Sequence, residues 1–159
     1  MERVPTGVEG LDEMLGGGFP SNHIIVLIGE FGTGKSTFAL QYIYEGLNRG
    51  EPGIFISLEE DVNDIVSIAE ENGWDLKSYL DKKSLLVFNL SASDIKTSIM
   101  RVESELPSLI RSFGAKRLVI DSVTLLEMLF EHEADQRKHL LNLCRMIKGS
   151  GATSLFTSE

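Results

Sequence analysis

The sequence predicts an α/β fold of three layers (α/β/α), in which helices cover both faces of a doubly wound, mainly parallel β-sheet. Short apolar runs alternate along the chain with segments whose apolar residues recur at helical spacing. Such runs are typical of strands buried on both faces, and the alternation favours parallel strands joined by helices. A length of 159 residues with 42% hydrophobic content suits one core, so we expect a single domain over residues 1–159.

Five strands are expected in this sheet. They are the apolar runs at residues 23–29, 53–58, 85–90, 117–122 and 154–157. Turn signals and helical patterns separate them at fairly even spacing, and no internal repeat, low-complexity tract or linker is present.

The segments between the strands have recognisable helical faces and ends. In the first of them, Leu40, Ile43 and Leu47 share one face, and Gly50 suits the C-terminal end of the helix. The long helical pattern after residue 90 contains Pro107, a residue type that breaks or kinks helix interiors. We therefore expect a possible break in that helix at Pro107.

The composition limits which binding partners and which cellular compartment we expect for this chain. The chain has 15 basic and 24 acidic residues, and its net charge of −9 opposes non-specific binding to nucleic acid. Cys144 is the single cysteine and can form no internal disulfide, so we expect a reducing, cytoplasmic setting. No run approaches the roughly 18 apolar residues of a membrane span, so no membrane association is expected.

The stretch GEFGTGKST, residues 29–37, has the spacing of a phosphate-binding loop. Gly29, Gly34, Lys35 and Ser36 match the pattern G-x-x-x-x-G-K-[ST] between an expected strand and an expected helix. Glycines let successive N–H groups turn toward phosphate oxygens, and the helix N-terminus adds positive partial charge. An ordinary Gly-rich turn is the alternative, which the strand and helix context disfavours. The residues expected to bind the nucleotide are Gly29, Glu30, Phe31, Gly32, Thr33, Gly34, Lys35, Ser36 and Thr37.

A magnesium site is expected beside this loop. The hydrophobic run at residues 117–122 delivers Asp121 to the C-terminal edge of the sheet, where open α/β sheets bind ligands. Its carboxylate and the Ser36 hydroxyl are the predicted metal ligands. The alternative is that Asp121 only caps the helix that begins near Val123.

Two acidic residues follow the second strand. Glu59 and Glu60 should lie at the same edge, where a carboxylate can orient and deprotonate the water that attacks a γ-phosphate. Because neighbouring residues at a strand end point to opposite faces, we expect at most one of them to face the site. The alternative is that both are solvated acids that begin the next helix.

These residues resemble the RecA superfamily of P-loop ATPases, and its KaiC-like branch (RadA/KaiC) most closely. The resemblance covers essentially the whole chain, so it implies a P-loop NTPase fold of RecA type. Besides GEFGTGKST, it rests on TGVEGLDEMLGGGFP (6–20), FISLEE (55–60), LVIDS (118–122) and GATSLFTSE (151–159). Leu11, Asp12, the triple glycine and Pro20 are shared with RecA and RadA-type recombinases, whereas the double Glu of FISLEE and the closing TSE look more like KaiC.

The resemblance also implies the activity. ATP hydrolysis with Mg²⁺ is expected, with Glu59 as general base, Glu60 in support, Lys35 on the phosphates, and Glu159 at the position that senses the γ-phosphate. It further implies ATP and ADP as ligands, a homo-oligomeric ring or hexamer, and a signalling partner. The loop departs from the family at Phe31, where proline is usual.

Resembling domains continue for several more strands, so the domain is expected to be truncated on its C-terminal side. Those strands supply DNA-binding loops and basic residues that act across a subunit interface, so turnover in isolation should be slow. One alternative is a nucleotide-dependent assembly or regulatory module with little hydrolysis. A DNA-dependent recombination ATPase is the other, which the acidic charge disfavours.

Overall fold

A computed structural model describes residues 1–90, 95–128 and 130–159, with residues 95–102 described by their backbone alone. Its strands are β1 (Arg3–Val4), β2 (Phe19–Pro20), β3 (Ile24–Ile28), β4 (Gly53–Ser57), β5 (Leu85–Asn89), β6 (Arg117–Asp121) and β7 (Thr153–Ser158). Its helices are α1 (Leu11–Met14), α2 (Lys35–Asn48), α3 (Val62–Glu71), α4 (Leu76–Asp81), α5 (Ile95–Phe113), α6 (Val123–Glu127) and α7 (Glu133–Lys148).

The five predicted strands form one parallel sheet in the order β3-β7-β6-β4-β5. Because all five run the same way, their C-terminal ends meet at one edge, which carries the candidate site. β1 and β2 form a separate antiparallel pair that the sequence did not indicate. Each has only two residues, too few for a recognisable strand pattern.

The sheet is buried between two apolar layers, which confirms the three-layer prediction. Ile54 and Ile56 pack into a cluster with residues of α5, α6 and α7. Phe55, between them on β4, packs into the cluster on the other face with residues of α2, α3 and α4. Successive side chains of a strand point to opposite faces, so one strand supplies both cores. Within the described ranges, every helix is too short or too polar to cross a bilayer.

The helix α5 continues through Pro107, so the break considered from the sequence does not occur. Proline in a helix interior removes one backbone hydrogen bond and costs about 3 kcal/mol. Leu106 and Ile110, on either side of it, are 3% and 1% exposed and belong to the core. Burying two such side chains contributes roughly 3–6 kcal/mol, which offsets the loss.

The strand that leads into the Gly-rich loop lies at an edge of the described sheet. Within the described residues, β3 pairs with β7 alone. Its Ile25 and Leu27 pack on the α2 side, whereas Val26 and Ile28 on the other face are 51% and 73% exposed. Ile24 still packs on that second face, so only the part of the strand next to the loop is covered on one face alone.

Arg117, at the start of β6, is 0% exposed and joins three parts of the chain. Its Nε donates to Glu51 at 2.9 Å, and its Nη1 donates to the backbone oxygens of Pro5 at 2.7 Å and Tyr42 at 2.8 Å. The guanidinium also lies 4.7 Å from the centre of the Tyr42 ring. A buried charge needs such partners, and this set ties the N-terminal segment and α2 to the central strand.

Arg117 explains a glycine in the last turn of α2. A Cβ built on Gly46 would lie 2.4 Å from Cδ and 2.5 Å from Nε of Arg117. The Arg117 side chain is fully buried and held by three hydrogen bonds, so it has little freedom to move aside. The close approach of α2 to β6 therefore requires glycine at this position.

We predict that Gly46→Ala destabilises the protein by about 1–3 kcal/mol, the usual range for overpacking. At an exposed helix position the same change stabilises by about 1 kcal/mol, so the sign is informative. Gly149→Ala is the matched control, because a Cβ there meets nothing within 4 Å and its φ is −88°. Urea denaturation measures both; equal stability of Gly46→Ala and the wild type would contradict the packing argument.

Candidate functional site

A cleft of about 450 Å³ lies at the C-terminal edge of the sheet. It is bordered by the ends of β4 and β6, the loop after β3 and the start of α2. Its lining residues are Phe31, Gly32, Gly34, Lys35, Ser36, Thr37, Glu59, Glu60, Asp121, Ser122 and Glu159. The structure thus brings together all the residues for which the sequence predicted a catalytic or metal-binding role.

The Gly-rich loop has the backbone shape that its glycines permit. Gly32 and Gly34 have φ values of +80° and +94°, a region that side chains with a Cβ rarely adopt. Gly34 precedes α2, and no side chain caps that helix, so N–H groups of the first turn remain available to an anion. Six of the nine residues predicted to bind the nucleotide border the cleft.

The other three predicted residues, Gly29, Glu30 and Thr33, do not line the cleft and instead make contacts within the loop. The Thr33 hydroxyl donates to the Glu30 carbonyl at 2.7 Å, which closes the turn. A Cβ on Gly29 would lie 2.7 Å from that hydroxyl oxygen, so this position must stay small. Their contribution is therefore to the form of the loop.

Lys35 folds back over the same loop. Its Nζ donates to the carbonyls of Gly29 at 2.6 Å and Glu30 at 2.8 Å. An ammonium group has three N–H donors, so these contacts leave one for a ligand in the cleft. Hydrogen bonds to the loop backbone thus hold the Lys35 ammonium group at the cleft.

Asp121 accepts one hydrogen bond on each carboxylate oxygen. Ser36 Oγ donates to Oδ2 at 2.7 Å, and Thr157 Oγ1 donates to Oδ1 at 2.6 Å. Ser122 caps α6, since its Oγ accepts from the Leu125 N–H at 3.3 Å. The alternative that Asp121 only caps that helix is therefore wrong.

The pair of Ser36 and Asp121 suits Mg²⁺ by its chemistry. The two side chains offer hard oxygen donors in direct contact at the first turn of α2, where the phosphate loop ends. The described residues contain no group of three or more His, Cys, Asp or Glu that could enclose a metal. Mg²⁺ is usually bound through one or two protein oxygens together with water and substrate phosphates, so this donor set fits it.

Glu59 and Glu60 both border the cleft, and the expectation that only one could face it is wrong. The alternation of faces ends with β4 at Ser57, and the chain bends over the next two residues. Ser57 Oγ accepts from the Glu60 N–H at 3.0 Å, which helps to fix this bend. The next helix, α3, is capped by Asp61, so neither glutamate caps it.

The pKa of Glu60 is raised above its ordinary value. Partial burial is the largest cause, and the negative charges of Asp64, Glu59, Asp121 and Asp61 follow in that order. The bend therefore concentrates carboxylates at one end of the cleft, where each additional negative charge is unfavourable.

Sequence reasoning missed Thr157 and Thr124. Thr157 lies on β7 and reaches Asp121 on the neighbouring strand β6. Thr124 Oγ1 accepts from the Glu159 N–H at 2.9 Å and holds the last residue beside the cleft. Their positions in the sequence could have indicated them, because Thr157 ends one predicted strand and Thr124 follows another at the ligand edge of a parallel sheet.

The site combines a Gly-rich loop, between a strand and a helix, with an aspartate at the end of another strand of the same parallel sheet. This combination defines the P-loop class of nucleoside triphosphatases. Within that class, residues 4–159 match the family described as ATPase: KaiC. The chain belongs to this KaiC ATPase family.

Individual relatives agree with this assignment. The chain is 36% identical over 170 residues to a UPF0273 protein of Pyrococcus horikoshii, covering 99% of this chain and 68% of that protein. It is 34% identical over 170 residues to the circadian clock oscillator protein KaiC of Prochlorococcus marinus, covering 100% of this chain and 33% of the relative. The crystal structure of a KaiC-like protein from Pyrococcus horikoshii superposes with a TM-score of 0.88 at 34% identity, covering 99% of this chain and 70% of that one.

We predict that Glu60→Gln stabilises the protein at neutral pH. A raised pKa means that folding disfavours the ionised carboxylate, so stability falls as the pH rises through the folded pKa. Gln removes this penalty and should raise Tm by about 1–2 °C near pH 8. The difference should shrink as the pH falls toward the ordinary value of 4.5.

Glu71→Gln provides the control, because Glu71 is exposed at the far end of α3 and the change removes the same charge. Thermal unfolding across the pH range measures both variants. A gain in Tm that is equal for the two, or that is independent of pH, would contradict the local origin of the effect.

Proposed function

We propose that this chain binds ATP together with Mg²⁺ and hydrolyses the bond between the β- and γ-phosphates. Membership of the KaiC family makes it an ATPase-family chain, and the geometry supports the details of the reaction. The observation that carries the proposal is the contact of Ser36 with Asp121 at the first turn of α2, with Glu59 and Glu60 across the same cleft. This arrangement supports the proposal, because groups suited to binding phosphate, holding a metal and accepting a proton line one cleft.

Backbone N–H groups of the loop and of the first turn of α2 would hold the phosphates. They are neutral donors that lie at the positive end of the helix dipole, so they suit a polyanion. Lys35 adds a full positive charge at the same place, and it can exchange a carbonyl partner for a phosphate oxygen.

Ser36 and Asp121 would hold Mg²⁺. When bound, this ion neutralises charge on the β- and γ-phosphates. Thr157 and Ser36 donate to the Asp121 carboxylate from two sides, which supports its role as a fixed ligand.

Glu59 is our proposed general base, with Glu60 in support. Glu59 is the more exposed of the two and borders the cleft, so it can accept a proton from a water aligned with the γ-phosphate. Glu60 is the competing candidate, because its raised pKa makes its carboxylate the stronger base. Matched variants separate these two roles.

We predict that Glu59→Gln retains ATP binding and lowers kcat by about 10²–10⁴, the contribution of a positioned general base. Gln keeps the size and hydrogen bonding of the side chain but accepts no proton. Phosphate release under single-turnover conditions and ATP binding by calorimetry measure the two effects.

Glu60→Gln is the matched comparison, and we expect it to keep more of the activity than Glu59→Gln. Lys35→Ala is the binding control and should lose nucleotide affinity itself. If Glu60→Gln shows the larger loss of kcat, Glu60 takes the role of base; wild-type kcat in Glu59→Gln removes Glu59 from the mechanism.

The cleft is poor in positive charge, which supports completion of the site by a second copy of the chain. Among the described residues that line it, Lys35 is the only basic one, whereas the acidic ones are Glu59, Glu60, Asp121 and Glu159. A basic residue acting across an interface contributes about 10³–10⁵ in rate to phosphoryl transfer. We therefore propose a homo-oligomer, a ring by its resemblance to KaiC, that turns over slowly as separate chains.

We further propose a regulatory or signal-transduction role in the cytoplasm for residues 1–159 as one nucleotide-binding domain. The resemblance to the circadian clock oscillator protein KaiC supports the role, and the net charge of −9 disfavours a nucleic-acid partner.

We predict that ATP turnover per chain increases with protein concentration, because association supplies the missing positive charge. Phosphate release measured over a concentration series, with the oligomeric state followed by analytical ultracentrifugation, tests this expectation. A constant rate per chain across the transition from monomer to oligomer would contradict completion at an interface. ATP binding without turnover at any concentration would favour a binding module over an ATPase.

A further inference from the structure

We infer that Thr157 is a positioning residue for magnesium binding, acting through the carboxylate of Asp121. The inference rests on the proposed function, because it concerns the metal that accompanies the nucleotide. Thr157 lies near the end of β7, is 0% exposed and does not line the cleft itself, but its hydroxyl donates to Asp121, which does.

The hydrogen bond from Thr157 determines which carboxylate oxygen faces the cleft. Thr157 Oγ1 donates to Oδ1 of Asp121 at 2.6 Å from the neighbouring strand. Oδ2 is then directed toward Ser36, whose hydroxyl donates to it at 2.7 Å. Asp121 and Ser36 would hold the metal, while Thr157 keeps Oδ1 of Asp121 engaged.

The rigidity of Thr157 makes it suitable for this role. A β-branched side chain on a buried strand has a strongly restricted χ1, so the direction of its hydroxyl is set by the sheet. The Asp121 carboxylate, at the strand end and partly exposed, can turn about its last torsion unless something holds it. Partners that orient a metal ligand in this way typically change metal affinity or activity by 10–100-fold when removed.

Packing alone does not require threonine at this position. Valine has nearly the same shape and is favoured in strands, and a buried hydroxyl must be hydrogen-bonded to be tolerated. Since the bond to Asp121 meets that requirement, the hydroxyl has a role in the site that valine cannot fill. Asp121 is partly exposed, so water can replace the lost donor and the fold should tolerate the change.

The test measures the Mg²⁺ dependence of ADP binding rather than turnover. We predict that Thr157→Val raises the Mg²⁺ concentration needed for half-maximal ADP binding by about 10–100-fold. ADP affinity in EDTA should stay unchanged, because the phosphate loop is untouched. Isothermal titration calorimetry over a series of Mg²⁺ concentrations gives both quantities.

Two matched variants separate positioning from stability. Thr157→Ser keeps the hydroxyl and should restore Mg²⁺ dependence to within a few-fold of the wild type. Thr153→Val removes another hydroxyl of the same strand, one that is 2% exposed and accepts from the Asn22 N–H at 2.9 Å far from the cleft. It should leave the Mg²⁺ dependence unchanged.

A double variant tests the route through Asp121. In an Asp121→Asn background, Thr157→Val should have no further effect on the Mg²⁺ dependence. If Thr157→Val does not fold, Thr157→Cys, whose S–H is a weak donor, carries the same expectation. Wild-type Mg²⁺ dependence in either variant overturns the inference alone, whereas Mg²⁺-independent ADP binding by the wild type overturns the proposed function as well.

Discussion

The position of α2 on β6 is the constraint on which the rest of the structure depends. A charged side chain at each end of β6 binds this helix. At the start of the strand, buried Arg117 donates to the Tyr42 carbonyl of α2 and packs against Gly46, and at its end Asp121 accepts from Ser36. Removing one partner of a buried charge is strongly destabilising, so Arg117 holds the helix firmly. The phosphate loop is placed against the carboxylate by contacts at two ends of one strand.

The two ends of β6 therefore differ in role: the Arg117 end stabilises the fold, and the Asp121 end borders the candidate site. The Arg117 end is buried and also holds the N-terminal segment through the Pro5 carbonyl and the loop after α2 through Glu51. The Asp121 end is partly exposed, and its hydrogen bonds involve hydroxyl groups that can exchange partners with a metal or water. The Arg117 end thus fixes the position of the helix on the strand, and the candidate site lies at the other end of the same strand.

Local patterns predicted the parts of the fold that depend on neighbouring residues. The five sheet strands, the loop at residues 29–37 and the placement of Asp121 follow from apolar runs and from the glycine spacing. The alternation rule failed for Glu59 and Glu60 because it holds only within a strand, and β4 ends at Ser57. Contacts between distant segments left no local pattern, which is why the sequence showed neither the pairing of Thr157 with Asp121 nor the burial of Arg117. Because arginine is seldom fully buried, the residue type alone predicts an exposed side chain at this position.

The charge of the cleft connects the proposed binding of a metal with the proposed association of chains. A polyphosphate entering a space lined by one lysine and several carboxylates meets net repulsion, which the neutral N–H donors of the loop reduce only in part. A divalent cation between Ser36, Asp121 and the phosphates would reverse the sign of that interaction at the point of closest approach. A cation held by Ser36 and Asp121 would neutralise phosphate charge, whereas charge that develops during attack by water would still lack a positive partner. Glu59 and Glu60 lie at the cleft and cannot supply it, because they carry the same sign. A positive group from another chain would therefore be the physical complement of a base made from carboxylates, so the proposed association and the proposed base depend on the same charge distribution.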